Sequence, residues 1–294
     1  MNLQTAITKE EIQQYRIPME SKIWDLYLND KFYKENEKEI LKHYDIPFEE
    51  RYKQFKNLHK EITMEAKEIL ILRNLFKSLG LNREIFAFKS KSGPGKRAVQ
   101  SFNDINKSIF IIPWPYTKTY FERELISIFS NLISDLFFEA PGITIGEYLL
   151  KKLNNIQFAN KRTDIRRLLL LTRLLTFIKV YNADRFSILV TGSFEQTVST
   201  LLKVCRLGVR RKNDINITRL LMNSRATSKI NTPQNLNDFW PDMYNRIIAM
   251  FLFSKEYGFI ESQSLKKIDT IMTLDDVLDY QPTLEKILKL YQVG

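Results

Sequence analysis

The side chains that most often do chemistry are scarce in this sequence. It holds two histidines, His43 and His59, and one cysteine, Cys205, among 294 residues. A thiol nucleophile needs an imidazole within hydrogen-bond reach, and nothing in the spacing brings either histidine to Cys205. That cysteine sits in the apolar stretch Leu201 to Leu207, where it reads as a small buried hydrophobe. The same scarcity removes the zinc sites built on cysteine and histidine, and any internal disulfide. Asp275, Asp276 and Asp279 gather three carboxylates, but a helix start favours acidic residues through its dipole without any metal. The run GPGKR, Gly93 to Arg97, shares the glycine and lysine of a phosphate-binding loop. That motif needs a glycine where Ser90 stands and a serine or threonine where Arg97 stands, so the match fails twice. These residues predict a protein that is not an enzyme, with no catalytic residue, no metal and no cofactor.

Positive charge, by contrast, is abundant. The chain has 45 basic and 34 acidic side chains, a net +11, and the excess is uneven. Residues 1–88 hold 15 of each sign, 89–230 hold 24 basic and 10 acidic, and 231–294 hold 6 and 9. Residues 151–230 alone carry 17 basic against 4 acidic side chains and 10 of the 17 arginines. A merely solvated face mixes both signs, and the arginine fork binds phosphate bidentately and stacks on bases. Nucleic acid is therefore the predicted partner. The predicted contacts are Lys89, Lys91, Lys96, Arg97, Arg162, Arg166, Arg173, Lys203, Arg206, Arg210, Arg211, Arg219 and Arg225. Phe102, Trp114 and Tyr116 follow the first of these closely and are the candidates for base stacking. No base-reading motif is legible, which predicts binding to the backbone without sequence preference.

The elements that must position these side chains read as helices. Nine glycines and nine prolines are too few for a many-turned sandwich or a nucleotide fold built on glycine loops. The prediction is an all-α, mainly helical protein of two lobes with a basic groove between them, and a basic loop or short β-hairpin near 83–97. Three stretches follow: 1–97 as an N-terminal helical lobe with arm and basic loop, 98–230 as a basic helical core, and 231–294 as a C-terminal helical segment. Ala66, Ile69, Leu72, Phe76 and Leu79 recur at helical spacing before a stop at Gly80. Helices are expected again from about 98 and over 117–139, broken at Pro113, Trp114 and Pro115. Over 161–181, Arg162, Arg166 and Arg173 fall within about 40° of one another at 100° per residue, opposite a leucine face. A second basic helix is expected over 194–211, and a restart after Pro282. The start MNLQTAITKEE lacks the plan of a signal peptide, and Arg173 and Lys179 interrupt the greasiest run. The sequence thus predicts an intracellular, cytoplasmic protein with no membrane partner.

Residues 98–114, AVQSFNDINKSIFIIPW, resemble a block in nucleoproteins of segmented negative-strand RNA viruses of the bunyavirus group, the plant-infecting emaraviruses above all. Val99, Ser101, Phe102 and Asn103 fit it, while Asp104 stands where that family prefers a basic residue. TGSFE at 191–195 is similar to a second element, with Ser193 inserted. The resemblance covers about 20 residues. It implies a two-lobed helical protein that encapsidates single-stranded genomic RNA in a basic groove, polymerises through terminal arms, and resides in host cytoplasm and virion. On this reading the protein is a homo-oligomer, and deleting residues 1–17 or 282–294 would release monomers; the alternative is that both ends pack on their own chain. Other readings of the same charge are a DNA-binding or scaffold subunit of a replication, transcription or mobile-element complex, a subunit meeting an acidic protein, or a metal-dependent nuclease or transferase built from carboxylates that converge in space.

Overall fold

The leucine-rich run folds as one long helix, and most of the other elements pack around it. A computed structural model describes residues 9–44, 47–63, 66–90, 100–103, 106–113, 120–138, 143–204, 218, 221, 232–269, 273–278 and 280–292. The protein is predominantly helical with one small sheet. In chain order the first elements are α1 (Lys9–Gln14), α2 (Glu20–Leu28), α3 (Lys31–Tyr44), α4 (Phe48–Leu58), β1 (Lys60–Glu61) and α5 (Lys67–Ser78). Next come β2 (Glu84–Ser90), β3 (Gln100–Asn103), β4 (Lys107–Pro113), α6 (Glu122–Ile133) and α7 (Ile143–Asn154). They are followed by α8 (Arg162–Thr191), α9 (Phe194–Val204), α10 (Met243–Tyr257), α11 (Gln263–Lys266), α12 (Leu274–Leu278) and α13 (Tyr280–Gln292).

The long helix is α8. It touches α2, α3, α6, α7, α9, α10, α12 and α13, and 21 of its 30 residues are buried. A helix surrounded in this way is apolar nearly all round. The two-faced wheel expected for 161–181 is therefore corrected: the arginine face survives as exposed surface only near the N-terminus of α8. Gly192 ends the helix at φ 67°, a left-handed backbone that glycine adopts freely. Around α8 lies one apolar cluster built from α2, α3, α7, α9, α10 and α13, with Ile23, Leu168, Leu171, Phe177, Phe251 and Ile287 at its centre. Contributions to it come from all three stretches of the chain, which interleave in the packing.

A second cluster lies between α5, α6 and one face of the sheet, with Ile69, Leu72 and Phe76 against Ala87, Phe110 and Phe129. The sheet order is β1-β2-β4-β3, with β2 and β4 parallel and the outer pairs antiparallel. This corrects two expectations. The described part of 83–97 is the strand β2, whose two edges are taken by β1 and β4, and the antiparallel hairpin is β3 with β4; residues 91–97 lie outside the described residues. Residues 100–103 and 107–113 are strands rather than helix, as suits the β-branched and aromatic run Ser108–Ile112 with its proline limit. On the other sheet face lies α4, whose Phe48, Tyr52 and Phe55 meet Phe86, Phe88 and Phe102 with ring centroids 5.0–5.9 Å apart.

Both ends of the described chain pack on the chain itself. Tyr15 meets Phe253 and Tyr257 edge-on at 5.8 and 5.0 Å, and the Ile17 amide donates to Asn182 Oδ1 at 3.1 Å. At the far end the Tyr291 hydroxyl reaches the Leu26 carbonyl. Pro282 lies within the first turn of α13, where its missing amide costs no hydrogen bond, so the final helix starts before it rather than after it.

Candidate nucleic-acid interface

Eight of the thirteen predicted contact residues and two of the three stacking candidates fall where the structure describes nothing. Lys91, Lys96, Arg97, Arg206, Arg210, Arg211, Arg219, Arg225, Trp114 and Tyr116 all lie outside the described residues. The remaining candidates are Lys89, Arg162, Arg166, Arg173, Lys203 and Phe102.

Arg162 and Arg166, one helical turn apart, stand exposed at the start of α8. Arg173, two turns further on, is half-buried. Its guanidinium carbon lies 5.0 Å from the Phe177 ring centroid, and burial pushes its pKa down against the pull of Asp238 and Tyr181. Lys203 Nζ lies 2.8 Å from Glu124 Oε2 and 4.8 Å from the Tyr120 ring, so its charge is already met within the chain. Lys89 sits on β2 opposite Lys60 of β1. Phe102 is not a free platform: it packs 5.0 Å from Phe55 and lies under the Arg51 guanidinium at 4.5 Å. Burial lowers the Arg51 pKa as well. The structure therefore brings Arg162 and Arg166 together and leaves Lys89, Lys203 and Phe102 in separate local settings.

Counting charge along the chain overstated its excess in space. Of the 17 basic residues in 151–230, ten are described, and six of those reach carboxylates outside that stretch. Lys151 pairs with Glu147, Lys152 with Glu39, Lys161 with Glu35, Lys179 with Asp135 and Lys203 with Glu124. The sixth is Arg167, which is 3% exposed and lies 2.6 Å from the fully buried Asp30. It also binds Asp164 at 2.9 Å and the Leu290 carbonyl at 3.3 Å, beneath the Tyr291 ring at 4.1 Å. Sequence reasoning missed this residue. The signal was there, since Arg167, Leu171, Leu174 and Ile178 share one apolar register, and an arginine in such a register needs a buried acid. Arg185 was missed in the same way: its Nη1 donates to the Tyr15 carbonyl at 2.9 Å, and its guanidinium lies 5.1 Å from the Phe253 ring.

The TGSFE element has structural duties. Gly192 supplies the left-handed turn, Phe194 is buried against Phe251 at 5.8 Å, and the Glu195 carboxylate accepts from the Glu261 and Ser262 amides at 3.0 and 2.8 Å. Among the described residues, no group of three or more metal-ligating side chains is placed to hold an ion, and no helix is long and apolar enough to cross a membrane. Comparison with known proteins gives no match to a family model, a curated protein or a solved structure.

Proposed function

We propose that the protein binds single-stranded RNA without sequence preference and encapsidates it, as a viral nucleoprotein of the emaravirus kind would, acting by charge neutralisation rather than by catalysis. One observation carries this reading. If each of the 34 carboxylates paired with one cation, 11 cations would still have no carboxylate in the chain, and a polyanion is the partner that meets such a remainder. Two supports stand beside it. Arg162 and Arg166 are exposed one turn apart, and residues 205–229 hold seven basic side chains and a single acidic one, Asp214. Self-association along RNA and a cytoplasmic location belong to the same proposal.

The mechanism is displacement of counterions from phosphates by lysine and arginine. Affinity for mixed-sequence single strands then falls with salt at a log–log slope of about −0.7 per phosphate contacted. Filter binding across a salt series tests it, alongside the 260 to 280 nm absorbance ratio of protein purified without nuclease. An affinity indifferent to salt, or a strong preference for one sequence, overturns the reading.

A further inference from the structure

We infer that Trp240 and Tyr244 form a stacking platform for bases of single-stranded RNA, next to the arginine register of α8. The inference rests on the RNA reading above and adds to it a contact that does not depend on charge. Phe102, the one stacking candidate the structure describes, is already engaged by Phe55 and Arg51. The other two rings are open: Trp240 is 54% and Tyr244 45% exposed, and neither meets another ring or a cation among the described residues.

The exposure is built into the local fold. The 3-10 turn Leu236–Phe239 ends at Trp240, whose backbone is extended at φ −106° and ψ 134°. Successive side chains of an extended segment point opposite ways. Phe239 before it and Pro241 after it are both buried, which turns Trp240 outward. Phe239 is seated on Gly146, where a methyl group would lie 2.7 Å from its ring, and the Trp240 amide donates to the Asn237 carbonyl at 3.2 Å. Four residues on, the Tyr244 amide donates to the Asp242 carboxylate at 2.7 Å and fixes the start of α10. Both rings are thus carried on held backbone, and each has only two torsions to lose on contact.

Two observations favour a base over a protein surface. The exposed neighbours Gln234, Asn235, Asn237 and Asp242 are polar, whereas the centre of a protein interface is apolar. The turn also sits at the inner end of the register Arg162, Arg166, Arg173: burial pushes the Arg173 pKa down, and Asp238 of this turn lies close enough to pull against it. Arg162 is about 16 Å further along α8, which about five nucleotides cover at about 3.4 Å each. The acids beside the platform are engaged as caps, Asp238 by the Gln234 and Asn235 amides at 2.8 and 3.2 Å and Asp242 by Tyr244. Stacking tolerates any base, in keeping with binding that lacks sequence preference.

Anisotropy titration of the full chain with labelled oligouridylate, and with a strand of the same length made of base-less tetrahydrofuran spacers, tests it. Trp240→Ala/Tyr244→Ala should weaken oligouridylate binding by at least about fivefold. It should leave the affinity for the abasic strand and the salt slope unchanged, because the lost rings carry no charge. Trp240→Phe/Tyr244→Phe keeps two stacking faces and should retain most of the affinity. If the alanine variant melts early, Trp240→Gln alone, which matches the polar neighbours, should still weaken the base-bearing strand selectively. Equal wild-type affinity for the two strands, or an alanine variant that loses both alike or neither, overturns the inference and leaves the RNA reading standing. A variant that only turns oligomer into monomer in light scattering marks a protein contact and overturns it too. A wild type that binds neither strand sinks the RNA reading and the platform with it.

Discussion

Arg167 and Arg185 lie on the same helix and are both shielded from water, yet they should answer substitution differently. Arg167→Met leaves Asp30 as a buried carboxylate without its 2.6 Å partner, and removing one member of a buried pair costs about 3–5 kcal/mol. Urea unfolding monitored by circular dichroism should show that loss. Arg185 has a carbonyl and an aromatic ring for company rather than a carboxylate at bonding distance. Burial pushes its pKa down from the ordinary arginine value to about 10, against the smaller pull of Glu256 and Tyr257. Arg185→Met should change stability by no more than about 1 kcal/mol, because relief of desolvation offsets the lost bond to Tyr15. The pH dependence follows from the direction of the shift. From about pH 10 up to the ordinary arginine value the unfolded chain holds more protons than the folded one, so Arg185 opposes folding less as pH rises there. Wild type should gain on Arg185→Met above about pH 10 and keep a constant difference at neutral pH, read from paired unfolding curves.

At the scale of elements, α7 packs closely on the 3-10 turn Leu236–Phe239. A methyl group on Gly146 would lie 2.7 Å from the Phe239 ring. Gly146→Ala should therefore cost about 1–3 kcal/mol through overpacking, and Phe239→Leu in the same chain should return part of it in thermal melts. Along α8, Arg162→Glu/Arg166→Glu should weaken RNA binding at low salt and leave the melting temperature within about 2 °C. Arg173→Glu should lower that temperature on its own, since its side chain packs over Phe177. The leucine spacing made α8 legible, and the Ala66 to Leu79 register likewise disclosed α5. The strands were harder to read. Ser108–Ile112 is too short for periodicity to separate a strand from a buried helix, and its parallel partner Glu84–Ser90 is a non-local neighbour. The basic site was least legible, because Glu35 and Glu39 reach Lys161 and Lys152 from more than a hundred residues away, and no local count of charge contains them.

Over the whole molecule, the two ends act as parts of one core. Thr283 and Ile287 of α13 are buried, so deleting residues 282–294 should lower the melting temperature by at least about 5 °C, whatever it does to assembly. Light scattering and a thermal melt on the same sample separate the two effects. The hydroxyl of Tyr291 meets the carbonyl of Leu26 across 265 residues and approaches Asp30 Oδ2 at 3.3 Å. Protein synthesis is vectorial and adds about 5–20 residues per second. The anchor for α2 is therefore not made until roughly 13 to 50 seconds after α2 itself has been translated. During that interval Ile23 and Tyr27, fully covered in the finished protein, leave the ribosome with nothing to cover them. A nascent chain of this protein is thus most exposed to misassociation at its beginning, and a trigger-type holding factor bound to its first thirty residues or so would shield the apolar surface that α8 and α13 later cover.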